Sequence, residues 1–176
     1  MELAAAVRQA AQLTGTFTLR SGQTATEYFD KFQLTSRPDL LDAVSDAMAR
    51  IMPPDVEILA GLQLGGVPLA AALALKTRLP AVYVRPQRKT YGTCKITEGV
   101  DVAGRVVAVV ADVATTGGQI VLSTDDLRAE RADVRYALVV VDKESGTRES
   151  LLRAGLELRS LFTARDLEQA DNGRSR

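Results

Sequence analysis

Apolar positions along the chain change their period repeatedly, and the changes mark out alternating helices and strands. Residues 2–13 carry Leu3, Ala6, Ala10 and Leu13 at helical spacing, and Gly15 stops the run. Short apolar runs at 17–19 and 28–32, on either side of Ser21 and Gly22, predict two short strands. Residues 38–52 read as a helix, with Pro38 near the first turn and Pro53 and Pro54 beyond the end. A buried strand is predicted over 56–60, a helix over 67–76 and a strand over 81–85. Runs of Val and Ala at 106–110 and 134–141 predict buried strands, with a helix over 119–132 between them. A helix over 145–154, ended by Gly155, and a strand over 156–162 complete the pattern. By contrast, 86–101 has no apolar periodicity and is rich in charge, Gly and Thr. It reads as a long loop or loose hairpin, which in a folded domain means function or disorder. Residues 169–176 read as a disordered tail.

Strands alternating with helices imply a parallel sheet. The expected fold is α/β: one domain over 1–176, with a doubly wound, mainly parallel sheet, helices on both faces and a small N-terminal hood at roughly 1–36. Ligands of such sheets sit outside the carboxyl ends of the strands. That puts Asp112 and the loop after Ala60 on one rim. The composition agrees: 176 residues at 46% hydrophobic suit one domain with a substantial core. Lys plus Arg and Asp plus Glu are both 22, which argues against a general nucleic-acid binder or a membrane-surface protein. The single cysteine, Cys94, excludes an intrachain disulfide, and the absence of His removes the usual general base. A hard cation such as Mg²⁺ stays open, because it needs few protein ligands and favours substrate phosphates. The start lacks a basic segment followed by an apolar core, so it is no secretory signal. The apolar region 58–75 is broken by Gln63, Gly65, Gly66 and Pro68, so it is no membrane span. The expected location is the cytoplasm.

Five segments carry candidate chemistry. The strand at 106–110 leads to Asp112 and then to Val113, Ala114, Thr115, Thr116, Gly117, Gly118 and Gln119. Strand, acidic tip, small-residue loop and helix form an arrangement suited to a phosphorylated sugar: loop N–H groups meet the phosphate and the carboxylate meets sugar hydroxyls. By itself, such a loop also serves as an ordinary strand-to-helix turn. Leu64, Gly65 and Gly66 precede a helix and expose N–H groups toward an anion, or simply form a βα turn. Arg85, Arg88, Lys89 and Lys95, with Tyr91 among them, put four cations on one loop, able to close over a pyrophosphate or simply to face solvent. Tyr28 and Phe29, in the segment Glu27 to Lys31 that follows Arg20, put an aromatic pair beside a cation and suit a flat anionic base, or the core of a hairpin. Lys143 follows a buried strand and so stands on the ligand rim.

Together these motifs resemble the type I phosphoribosyltransferases and, within them, the orotate phosphoribosyltransferases, from about Thr14 to Leu167. The resemblance implies transfer of a phosphoribosyl group from phosphoribosyl pyrophosphate (PRPP) to orotate. The products are orotidine 5′-monophosphate and pyrophosphate, in the de novo pathway to UMP. It implies PRPP contacts from Arg20, residues 64–66, Arg85, Arg88, Lys89, Tyr91 and residues 112–119. Orotate contacts fall to Tyr28, Phe29, Thr115 and Lys143, and catalytic roles to Lys89, Arg85 and Asp112. Mg²⁺ is expected to ride mainly on PRPP, with no metal site built by the protein alone. A homodimer is expected, the 86–101 loop acting on the neighbouring subunit's site. The chain departs from the family pattern at Gln63 (commonly Glu), Tyr91 (commonly His), Ala111 (commonly acidic) and Lys143 (commonly Arg). Two other readings share these residues: a phosphoribosyltransferase for a different base, and a non-catalytic PRPP-binding regulator.

Overall fold

The computed structural model describes residues 2–18, 22, 24–87 and 95–172. The chain opens with helix α1 (Glu2–Ala11), then the antiparallel strands β1 (Gln12–Thr18) and β2 (Thr24–Phe29), then a short helix α2 (Gln33–Ser36). Leu13 pairs with Tyr28 and Phe17 with Ala25 in this two-stranded hood. The first strand begins earlier than predicted. The second ends at Phe29 instead of Phe32, because Asp30 accepts hydrogen bonds from the Phe32 N–H and the Gln33 amide and starts a turn.

Helix α3 (Pro38–Ile51) begins on Pro38, as predicted. Then come β3 (Ile58–Leu62), α4 (Gly66–Thr77), β4 (Ala81–Val84), β5 (Thr97–Gly99), β6 (Val106–Ala114) and α5 (Gly118–Ala129). The chain ends with β7 (Asp133–Asp142), α6 (Thr147–Arg153), β8 (Glu157–Thr163) and α7 (Ala164–Asn172). The six-stranded sheet has the order β5-β4-β3-β6-β7-β8 and is parallel except for the β4–β5 pair.

Alternation along the central strands splits the core into two layers. Leu59, Ala108, Val110, Leu138 and Val140 face α1, α3, α4 and α7. Ile58, Ala60, Val107, Val109, Ala137 and Val139 face α5 and α6. Both faces are covered, as a sheet of nearly continuous apolar strands requires. Right-handed crossovers put α4 on one face and α5 on the other, because β3 connects to β4 in one direction and β6 to β7 in the opposite one. The strand order therefore reverses between β3 and β6, and ligands of open α/β sheets bind at that point. Arg128 fixes the α5–α6 layer by donating to the Ala154 carbonyl at 2.8 Å and the Val134 carbonyl at 2.8 Å.

Two expectations need correction, and a third resolves to one of its alternatives. The strand at 106–110 continues to Ala114, so Asp112 lies inside β6, and Val113 and Ala114 pair with Val141 and Asp142 instead of joining the loop. Of the two readings of 86–101, the hairpin fits: the segment returns to the sheet as β5, antiparallel to β4. The tail expected over 169–176 is helical through Asn172. Helix α7 carries apolar residues at Ala164, Leu167 and Ala170, of which Leu167 and Ala170 are buried in the core beside α1, too sparse a stripe to read in a polar sequence.

Candidate functional site

Two loops flank the point where the strand order reverses: 63–65 after β3 and 115–117 after β6. Asp112 stands between them, on the same face of β6 as Ala108 and Val110, and only 4% exposed. Its Oδ1 accepts the Val113 N–H at 2.7 Å. Its Oδ2 lies 3.3 Å from the Lys31 Nζ of the hood, a contact between charges. The ammonium is not aligned to donate, so Oδ2 is buried without a hydrogen bond among the described residues. A buried carboxylate oxygen in that state is costly, and a ligand hydroxyl would satisfy it.

The glycine loop is shaped around this carboxylate. A Cβ on Gly65 would sit 1.8 Å from Asp112 Oδ2, and one on Gly66 would sit 2.2 Å from the Val110 carbonyl oxygen. Only residues without a side chain let α4 start this close to β6. Leu64 is 63% exposed beside them, and the Gln63–Leu64 peptide is cis. Ala111, where the family commonly has an acid, lies on the opposite face of β6 in the apolar layer beneath α5.

Across the crevice, Thr115 and Thr116 are exposed and Gly117 caps α5 with φ of 78°. Among the described residues, the N–H groups of Thr115, Thr116 and Gly117 donate to no protein acceptor. These groups and the α5 N-terminus face the rim with partial positive charge. Gln119 is the second residue of α5, its amide 3.4 Å from Ser123 Oγ.

A cleft of about 280 Å³ opens between the hood and the ends of β7 and β8. Tyr28, Phe29 and Lys143 line it, together with Arg8, Gln12 and Glu168. The Lys143 Nζ lies 4.3 Å from the Phe29 ring centre, and Tyr28 leans on Phe17 at 5.4 Å. Burial pushes the Lys143 ammonium below the usual lysine range; Glu168 pulls it back up and Arg8 adds to the fall. A cation over an aromatic face beside a slot suits a flat anion.

The residues expected from sequence thus fall into two adjoining groups. Gly65, Gly66, Asp112 and Thr115 to Gly118 gather where the strand order reverses, and Tyr28, Phe29 and Lys143 gather in the cleft. Arg85 stands at the root of the basic loop, where it pairs with Glu98 at 3.4 Å and donates its N–H to the Ile96 carbonyl. Arg20, Arg88, Lys89 and Tyr91 lie outside the described residues. Lys31, in the same short segment as the aromatic pair, turns instead to Asp112, a contact that sequence reasoning did not foresee. Sequence reasoning also missed Arg8, Gln12 and Glu168, whose helix and strand assignments gave no hint that α1 and α7 meet at the cleft.

No family model matches the chain. A curated relative, the orotate phosphoribosyltransferase of a Nocardioides species, is 45% identical over 168 residues, spanning 96% of this chain and 94% of the relative. The crystal structure of Mycobacterium tuberculosis orotate phosphoribosyltransferase in complex with Fe(III) dicitrate superposes with a TM-score of 0.85 at 30% identity, covering 94% of this chain and 97% of that one. The same enzyme in complex with PRPP gives a TM-score of 0.79 at 28% identity, covering 95% of this chain and 97% of that one. The sequence identity holds over nearly the full length of both chains, and the fold and site geometry agree with it: the chain belongs to the orotate phosphoribosyltransferase family.

Proposed function

We propose that this chain transfers the phosphoribosyl group of PRPP to orotate, yielding orotidine 5′-monophosphate and pyrophosphate on the route to UMP. The observation that carries the reading is the buried, unsatisfied Asp112 Oδ2 between two anion-facing loops, adjoining a cleft where Lys143 lies over Phe29. The carbon–oxygen bond from ribose to pyrophosphate breaks and a carbon–nitrogen bond forms to the base, whose ring N–H proton leaves to solvent. The free N–H groups of 115–117 would hold the 5′-phosphate. Asp112 would accept from the ribose hydroxyls and stabilise positive charge developing on the ring. Lys143 would meet the carboxylate of orotate, with Phe29 and Tyr28 shielding the ring.

Mg²⁺ belongs to the same proposal. Carboxylate Oδ2 of Asp112 is a hard oxygen donor, suited to a cation held mainly by substrate phosphates. When bound, the cation would neutralise charge on the departing pyrophosphate. Lys89, Arg88 and Arg85 would add to that neutralisation from the basic loop, in a homodimer whose 86–101 loop serves the neighbouring site. A cytoplasmic location completes the reading; among the described residues, no helix is long and apolar enough to cross a membrane.

A panel of bases tests the assignment. Offered orotate, uracil, adenine or hypoxanthine with PRPP and Mg²⁺, the protein is expected to consume orotate far faster than the others. Preferential use of another base would overturn the choice of orotate. Lys89→Ala in folded protein is expected to abolish turnover; unchanged turnover would remove the basic loop from the mechanism.

A further inference from the structure

The phosphate loop is held from behind by a residue of the next helix. Thr147, the first residue of α6, is fully buried, and its hydroxyl donates to the Thr115 carbonyl oxygen at 2.6 Å. One residue earlier, the Ala114 carbonyl accepts the Lys143 N–H at 2.9 Å. Two residues later, a Cβ on Gly117 would lie 3.2 Å from Leu151 of the same helix. The loop therefore rests against the Lys143-to-Leu151 segment through successive contacts, two of them made by carbonyl oxygens.

A peptide unit is planar, and the Thr115–Thr116 bond is trans. Its C=O and N–H therefore point in opposite directions. Holding the Thr115 oxygen against α6 turns the Thr116 N–H away from α6, toward the exposed side of the loop. A flipped peptide would present a carbonyl oxygen there and repel a phosphate. Among the described residues, no donor other than the Thr147 hydroxyl reaches that oxygen.

We infer that Thr147 is a positioning residue for PRPP: its hydroxyl locks the Thr115–Thr116 peptide in the orientation that offers an N–H to the 5′-phosphate. The inference rests on the proposed function for the identity of the ligand. It assigns Thr147 an effect on phosphate binding through the loop's backbone.

Thr147→Val, Thr147→Ala and Thr147→Ser test it. Steady-state turnover of orotate is measured alongside calorimetric binding of PRPP and ribose 5-phosphate, with thermal melting as the control for folding. Thr147→Val is expected to raise the KM for PRPP and weaken ribose 5-phosphate binding by about three- to tenfold, the scale of one hydrogen bond. The KM for PRPP is expected to change more than the KM for orotate, and Thr147→Ser is expected to restore PRPP binding. If Thr147→Val does not fold, Thr147→Ala compared with Thr147→Ser answers the same question. Folded variants without the hydroxyl that bind ribose 5-phosphate like the parent would overturn the inference and leave the proposed function standing. A parent protein that binds neither PRPP nor ribose 5-phosphate would overturn the proposed function itself.

Discussion

Asp112 brings a charge to a place where solvent barely reaches, with one backbone donor and one neighbouring ammonium to offset the cost. Ligand hydroxyls would complete its hydrogen bonding, so its charge acts mainly in the bound and activated states. Asp112→Asn is expected to lower kcat/KM by about a hundredfold or more in steady-state assays, with the melting temperature little changed. Gly65→Ala forces a methyl into that carboxylate and is expected to cost about 1–3 kcal/mol in denaturant unfolding, together with most of the PRPP affinity. Lys143 gives a pH signature. Burial lowers its pKa, so the charged form that meets an anionic base is complete below that value and is lost as pH rises through it. The KM for orotate is expected to climb on the alkaline side at a pH below the ordinary lysine range, and Lys143→Arg to abolish the climb. Local spacing made these residues legible: Thr115 to Gly118, Tyr28 with Phe29, and Lys143 each follow a strand or share a short motif. The Lys31–Asp112 contact was not legible, because it joins the hood to β6 and depends on how the two dock.

At the scale of elements, the root of the basic loop is clamped from α5. Glu130, directly after that helix, accepts the Ile96 N–H at 3.0 Å and the Thr97 hydroxyl at 2.9 Å. The helix that begins at the phosphate loop thus also secures the strand where the basic loop returns to the sheet. Glu130→Ala leaves the buried Thr97 hydroxyl without its acceptor and is expected to destabilise the fold by about 1–3 kcal/mol, read as a lower urea midpoint at unchanged slope. The apolar runs of β6 and β7 announced buried strands, and Pro38 and Gly118 announced helix starts. Strand β5 stayed hidden, since three residues at an antiparallel edge carry no apolar period of their own. The start of α7 also has a physical cause that the apolar pattern does not show. Thr163 donates its N–H and hydroxyl to Asp166 Oδ2 at 2.7 and 2.8 Å, a capping arrangement that organises the first turn.

The whole molecule brings three distant segments to one crevice: the hood, the reversal point between β3 and β6, and the ends of β7 and β8. Alternation of strand and helix was enough to place the rim, because right-handed crossovers leave few ways to wind such a sheet. The depth of the cleft between α1, α7 and the hood was beyond sequence, since it follows from packing between the two ends of the chain. The proposed dimer adds a second copy's basic loop to each site. Mixing Asp112→Asn with Lys89→Ala subunits, each inactive alone, is then expected to restore about a quarter of the parent activity after subunit exchange, because half of the dimers would hold one complete site. No recovery with exchange demonstrated would place the loop on its own subunit's site. Mixing the protein with PRPP, Mg²⁺ and orotate, and following orotate's ultraviolet absorbance together with released pyrophosphate, decides whether the crevice carries out the transfer. Orotate loss and pyrophosphate release in equal amounts are expected; PRPP binding with neither change would leave the crevice a binding site without chemistry and overturn the proposed transfer.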